Sequence, residues 1–229
     1  MLGMFLRSAL PQHHLSDDSK DVMKLGMALV ATMSALVLGL LITSAKSSYD
    51  EQNAELTDAS VKVVLLDRAL AHYGPETKEM RDMVRAALTR ALDRLWSSNR
   101  GFTPDRSAED ILFDKIQKLS PKDDGQRALK SEALSLTRDI AQIRWLQYEE
   151  VNKSIPGPVL VVLISWLTTL FIGFGLLARP NGTVIISLSI SALSVSSAIF
   201  LILELFSPYT GVIKVSSVPF RAALMQLGK

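Results

Sequence analysis

The chain has 229 residues, of which 48% are apolar and 21% charged, and it contains no cysteine. A mean hydropathy of +0.23 is unusual for a water-soluble protein, and a net charge of +2 gives no sign of a nucleic-acid binder. Without cysteine the chain has no disulfides, thiolate metal sites or cysteine nucleophiles. Because 37 of its 48 charges lie in residues 46–155, we expect one charged segment between strongly apolar ones.

The N-terminal tail, residues 1–24, begins with an apolar stretch, residues 1–6, that is too short to span a bilayer. His13 and His14 follow, close to several aspartates. Adjacent side chains on a helix do not converge, whereas zinc ligands need spacings such as i and i+4. A polar loop beside the membrane therefore explains the two histidines better than a metal site does.

Three apolar runs are long enough to cross a membrane, at residues 25–45, 158–177 and 184–204. A hydrocarbon core about 30 Å thick requires about 20 helical residues, and backbone amides inside it must bond within their own segment. The sequence therefore predicts an all-α integral membrane protein with three transmembrane helices and a C-terminal tail at 205–229. Turn residues at 179–182 join the last two spans into a helical hairpin.

The charged region, residues 46–155, opens with a helical pattern. No glycine or proline separates it from the first span, so the two segments can form one long helix, which Gly74 and Pro75 end. One face of this helix is apolar at helical spacing. Its members are Leu56, Val63, Leu66 and Leu70.

Three more helices are predicted in the charged region, at about 76–97, 107–119 and 126–153. Acidic and basic residues alternate along them, as in Glu79 and Arg81, which favours solvated, salt-bridged faces over catalytic acids. The last helix has the 4-3-4-3 apolar spacing that is typical of a coiled-coil seam. This seam consists of Leu129, Ala133, Leu136, Ile140 and Ile143.

The orientation of the chain follows from the basic residues near the span ends. Three spans put the charged region and the C-terminal tail on one side of the membrane, and the N-terminal tail on the other. The side of the charged region carries a small excess of Lys and Arg close to the spans. By the positive-inside rule, we expect the charged region to lie in the cytoplasm.

The third span is rich in serine, and Ser187, Ser191 and Ser194 fall on one face, here called the serine face. It suits either a hydroxyl-lined path for ions or close packing between helices, because serine is small and can bond its own i−4 carbonyl. Four glycines in the first two spans favour close packing as well. They are Gly26, Gly39, Gly173 and Gly175.

Two ionisable residues lie at the same predicted level of the membrane. Lys46 follows the first span, and Glu204 comes at the end of the third. Charged groups at such a depth are commonly paired or functional. Glu204 can pair with Lys46 across two helices, or it can reach water at the interface. Lys46, Glu204 and the serine face are therefore candidate pore or interhelical polar positions.

The sequence contains none of the common catalytic or nucleotide-binding motifs. GxxxxGK[ST], GxGxxG, GxSxG and HExxH are all missing. We therefore expect a protein that is not an enzyme and that has no bound cofactor or metal.

Four short stretches at the ends of the predicted elements together resemble one protein family. They are KLGM at 24–27, SAKSSYD at 44–50, LLDRAL followed by YGPE at 65–70 and 73–76, and LEL with SPYTG at 203–205 and 207–211. Over nearly the whole chain, the sequence is similar to the bestrophin-like family of bacterial integral membrane proteins, a domain of unknown function.

The resemblance implies about four spans and kinship with bestrophins, which are oligomeric anion channels. Residues 1–6 would then be the end of a fourth span that preceded the three found here, or else this version has three spans and residues 1–6 form an interfacial anchor. A bacterial inner-membrane homo-oligomer that conducts small anions is the first hypothesis, with the serine face and the level of Lys46 and Glu204 near the pathway. The alternative is a membrane-anchored scaffold or sensor whose coiled-coil seam binds a partner or a second copy.

Overall fold

The structure, a computed structural model, describes residues 17–96, 106–151, 157–178, 181–206 and 211–228. About 90% of it is helical, and the described residues include no strand. The expectations for residues 1–6, His13 and His14 lie outside this part of the chain. The helices are α1 (Asp17–Tyr73), α2 (Lys78–Trp96), α3 (Arg106–Gln117), α4 (Asp124–Val151), α5 (Gly157–Leu177), α6 (Gly182–Leu205) and α7 (Val218–Gln226), with a 3-10 turn at Pro75–Thr77.

Three of the described helices are long and apolar enough to cross a membrane: α1, α5 and α6. The predicted class, an all-α protein with three membrane-spanning helices, is confirmed. The first span and the start of the charged region form one helix of 57 residues, as the missing glycine and proline allowed. It ends where Gly74 adopts a φ of 146°, a value that residues with a side chain rarely adopt.

The chain divides into two compact units. The span unit comprises residues 1–47 and 154–206, and the helical unit comprises residues 48–153 and 207–229. The core of the helical unit is apolar and draws on all of its helices. It contains Leu56, Ala59, Val63, Leu66, Ala69 and Leu70 of α1, Met80, Val84 and Leu88 of α2, Leu112 and Ile116 of α3, Ala133 and Ile143 of α4, and Val215, Phe220, Ala223 and Leu227 of the C-terminal tail.

The coiled-coil seam of α4 packs against this core within its own chain. Ala133 and Ile143 are 1% and 8% exposed, and Leu129, Leu136 and Ile140 are half-buried against the core. The predicted spacing is therefore correct, but the seam is covered by helices of the same chain. The surface that the scaffold hypothesis assigned to a partner or a second copy is therefore covered within the chain.

The C-terminal tail completes the core of the helical unit, which the sequence did not indicate. Val215 and Phe220 are 1% and 6% exposed, and the ring of Phe220 lies 5.7 Å from that of Trp96. Nε1 of Trp96 donates a hydrogen bond to the carbonyl oxygen of Val215 at 2.9 Å. Nη1 of Arg85 donates to the carbonyl oxygen of Leu227 at 3.4 Å. The C-terminal tail, including α7, is thus fixed to α2.

A buried ion pair joins α1 to α2 and corrects the expectation that Arg81 lies on a solvated face. Nε and Nη2 of Arg81 donate to the two carboxylate oxygens of Asp67 at 2.8 and 3.0 Å. The backbone N–H of Gly228 donates to the same carboxylate at 3.2 Å. Asp67 is 3% exposed, and its hydrogen bond with the guanidinium raises the pKa of Arg81 above the ordinary value. Three donors therefore compensate the desolvation of this carboxylate.

Candidate functional site

In the span unit, α1 and α5 approach closely at one glycine. A Cβ atom built on Gly173 would lie 2.2 Å from Sδ of Met27, which is too close for any side chain without displacement of the methionine. Gly175 is also buried. The predicted packing role is confirmed for Gly173, since small residues allow transmembrane helices to come together. Gly26 and Gly39 differ, because a Cβ atom on either would meet no atom within 4 Å.

The serine face of α6 lies on the surface of the span unit. Ser187, Ser191 and Ser194 are all exposed. Oγ of Ser191 donates to the carbonyl oxygen of Ser187, and Oγ of Ser194 donates to that of Ile190, both at 3.0 Å. These hydroxyls are therefore satisfied by their own helix, which makes their exposure to a bilayer inexpensive. Within its unit, the serine face is not used for packing against α1 or α5.

The turn before α6 begins the helix with a cap. The side chain of Asn181 accepts a hydrogen bond from the backbone N–H of Val184 at 2.8 Å. Asparagine is among the best residues for this position because its side-chain oxygen satisfies an amide that the helix leaves unpaired. The other residues of the predicted turn, 179 and 180, lie outside the described part of the chain.

A second polar face, which sequence reasoning missed, runs along α1. The hydroxyls of Thr32 and Thr43 donate to the carbonyl oxygens of Ala28 and Gly39, each at 2.9 Å. The sequence feature that could have revealed this face is the helical spacing of its small residues, which the many leucines of the same span obscured. We call this surface the small-residue stripe. Its members, all exposed, are Ala28, Thr32, Ala35, Gly39, Thr43 and Lys46.

The two ionisable candidates have different exposures. Lys46 is exposed at the end of the small-residue stripe, and Glu204 is half-buried near the end of α6. Their pairing stays a prediction. Among the described residues no group of three or more histidine, cysteine, aspartate or glutamate side chains is arranged to hold a metal ion. The candidate site therefore consists of hydroxyls, small side chains and one exposed cation on apolar helices.

Comparisons with known proteins identify one family and one similar fold. A family model described as a bestrophin-like domain matches residues 1–220. The fold is similar to the crystal structure of a bacterial bestrophin homolog from Klebsiella pneumoniae that carries an isoleucine-to-threonine mutation. The TM-score is 0.65 and the identity 16%, over 89% of this chain and 85% of that chain, so this likeness shows the fold alone. No curated protein matches the sequence.

Proposed function

Because this chain belongs to the bestrophin-like family, we propose that it assembles into a homo-oligomeric membrane channel for small anions. The observation that carries the proposal is the exposure of two hydroxyl-bearing faces on otherwise apolar spans. Leucines point outward from the same helices, among them Leu25 and Leu36, which are 73% and 67% exposed. Contact with lipid is favourable for such exposed leucines, whereas helix faces of hydroxyl-bearing and small side chains suit contact with water, ions or another helix.

The chemistry of the two faces favours anions. A serine or threonine hydroxyl can turn its proton from the helix carbonyl, which keeps its backbone hydrogen bond, towards a passing anion. Lys46 adds a positive charge at the end of the small-residue stripe. Rings of Lys or Arg are a common device of anion pores. In a symmetric oligomer, each copy would contribute one such lysine at the same level.

An oligomer follows from where the faces lie. Both are on the surface of the span unit, so a pathway lined by them requires further copies of the chain around it. Most homo-oligomers have closed symmetry, and a head-to-tail contact repeated between identical copies forms a ring when its rotation closes. The half-buried Glu204 and the exposed Lys46 are candidates for polar contacts within or between copies.

Flux measurements on proteoliposomes test this function. We expect the purified protein to be an oligomer and to release chloride or iodide down a gradient. Ser191→Leu should lower the flux about tenfold, because an apolar side chain raises the barrier for an ion by at least about 1.4 kcal/mol. Ser196→Leu is the matched control, since this exposed serine lies on another side of α6, and its flux should stay within about twofold of wild type.

One outcome would contradict the channel, and a second would contradict only the place of the serine face in its pathway. A folded oligomer without halide flux would favour a membrane-anchored scaffold or sensor. Equal losses in the Ser191 and Ser196 variants would remove the serine face from the pathway while leaving conduction itself in place.

The helical unit is proposed to lie in the cytoplasm, on the basis of the excess of basic residues near the span ends on its side. Ser120 is an exposed residue between α3 and α4, and the chain has no cysteine of its own. We expect Ser120→Cys to resist a membrane-impermeant maleimide in intact cells and to react after the cells are opened. Labelling of intact cells would show that the helical unit lies outside the cytoplasm and would contradict the proposed orientation.

A further inference from the structure

Two glutamines in the helical unit are buried with incomplete hydrogen bonding. Gln52 of α1 is 3% exposed, and Gln147 of α4 is 4% exposed. Within the described part of the chain, Oε1 of Gln52 and Nε2 of Gln147 have no hydrogen-bond partner. A buried amide without a partner is unfavourable, because it has lost its hydrogen bonds to water. Each of these atoms therefore requires a partner that the described side chains do not supply.

Two contacts fix how α1 and α4 run past each other. Nζ of Lys62 lies 3.0 Å from Oδ2 of Asp139. Nearer the end of α1, Nε2 of Gln126 donates to the carbonyl oxygen of Tyr73 at 2.9 Å. Residue numbers rise on α1 as they fall on α4, so the two helices are antiparallel.

This register brings the two glutamines to the same level. A helix rises 1.5 Å per residue, so Gln52 lies about 15 Å from Lys62 along α1, and Gln147 lies about 12 Å from Asp139 along α4. The two displacements point in the same direction because the helices are antiparallel. The difference of about 3 Å is less than one helical turn.

The two unsatisfied atoms are chemically complementary. Oε1 of Gln52 is an acceptor, and Nε2 of Gln147 is a donor. The amide nitrogen of Gln52 already has a hydrogen-bond partner, since Nε2 donates to Oγ of Ser48 at 3.3 Å. One turn away on each helix lies an apolar core residue, Leu56 on α1 and Ile143 on α4, which are 0% and 8% exposed. The glutamines thus form one polar layer at the end of an apolar interface.

We propose that Gln52 and Gln147 hold a buried water molecule between α1 and α4, and that this polar layer fixes the register of the two helices. The water donates to Oε1 of Gln52 and accepts from Nε2 of Gln147, which satisfies both atoms. A slip of one helical turn moves the glutamines about 5 Å apart and places each beside apolar side chains. Single buried polar residues set the register of coiled coils in the same way.

A double-mutant cycle tests the coupling between the two glutamines that a shared water requires. We expect Gln52→Leu and Gln147→Leu each to lower the unfolding temperature of the full-length protein in detergent by about 3 °C, because each leaves one amide without its bridge. The double variant should unfold at or above the wild-type temperature, since it removes both amides and leaves two apolar side chains in contact.

The control uses a glutamine outside the layer. Gln142 is exposed on α4, so the effects of Gln52→Leu and Gln142→Leu should add. Additive losses in the Gln52 and Gln147 pair would overturn the proposal.

A high-resolution structure of the wild-type protein gives a second test that needs no variant. Density within about 3 Å of both atoms supports the water, whereas a direct bond between the amides, or a side chain turned into solvent, contradicts it.

Discussion

Replacing Asp67 with alanine should lower the free energy of unfolding of the helical unit by about 3–5 kcal/mol. The change removes two acceptors of the Arg81 guanidinium, whose side chain is only 22% exposed. It also removes the acceptor of the Gly228 backbone N–H. Loss of a buried carboxylate that holds a half-buried guanidinium is unfavourable, so the effect exceeds that of a surface pair. Urea titration in detergent, followed by tryptophan fluorescence, measures the effect.

Asp58 provides the matched control on the same helix. Its carboxylate lies 3.4 Å from Nζ of Lys62, but its side chain is 55% exposed. Solvent-exposed ion pairs of this kind contribute about 0.2–1 kcal/mol, so Asp58→Ala should change the free energy of unfolding by no more than this. Similar losses for the two alanine variants would mean that burial of the Asp67 pair does not matter.

Phe220→Ala is expected to lower the free energy of unfolding by about 3–5 kcal/mol, as truncation of a buried phenylalanine does in other cores. The side chain is 6% exposed and packs at an angle of 57° against the ring of Trp96. Because Phe220 lies on α7, its loss should also detach the C-terminal tail from α2. Limited proteolysis should then cut the tail before it cuts the rest of the helical unit.

Met225→Ala is the control for the tail. Met225 lies on the same short helix but is 69% exposed, so its truncation should leave the free energy of unfolding within about 0.5 kcal/mol of wild type. A tail that resists protease equally in the Phe220 and Met225 variants would show that Phe220 does not anchor it.

Periodicity predicted the parts of this fold that depend on one helix at a time. Uncharged length gave the three spans, and the absence of glycine and proline between residues 40 and 73 allowed the first span to continue unbroken into the charged region as α1. The spacing on α4 was also read correctly, but a stripe of apolar residues does not say which surface will cover it. The covering surface belongs to the same chain, because the helices of the helical unit contribute apolar side chains to one shared core.

Contacts between residues distant in the chain could not be predicted in this way. Asp67 and Arg81 look like ordinary surface charges, since their pairing depends on the turn at Gly74 that folds α2 back onto α1. The small-residue stripe was hidden for a different reason. Hydropathy averaged over a span finds an apolar segment, but it does not show that alanine, threonine and glycine lie on one face of the helix and leucine on others.

The burial of the C-terminal tail has a consequence for the order of folding during synthesis. The helical unit lies in the chain between the first span and the second, yet Val215 and Phe220 of its core follow the third. While α5 and α6 leave the ribosome and insert, the part of the core that the tail later covers must stay open. Its closure therefore comes last, after membrane insertion is complete. Until then the exposed apolar surface is a point at which the nascent chain can aggregate or bind a chaperone.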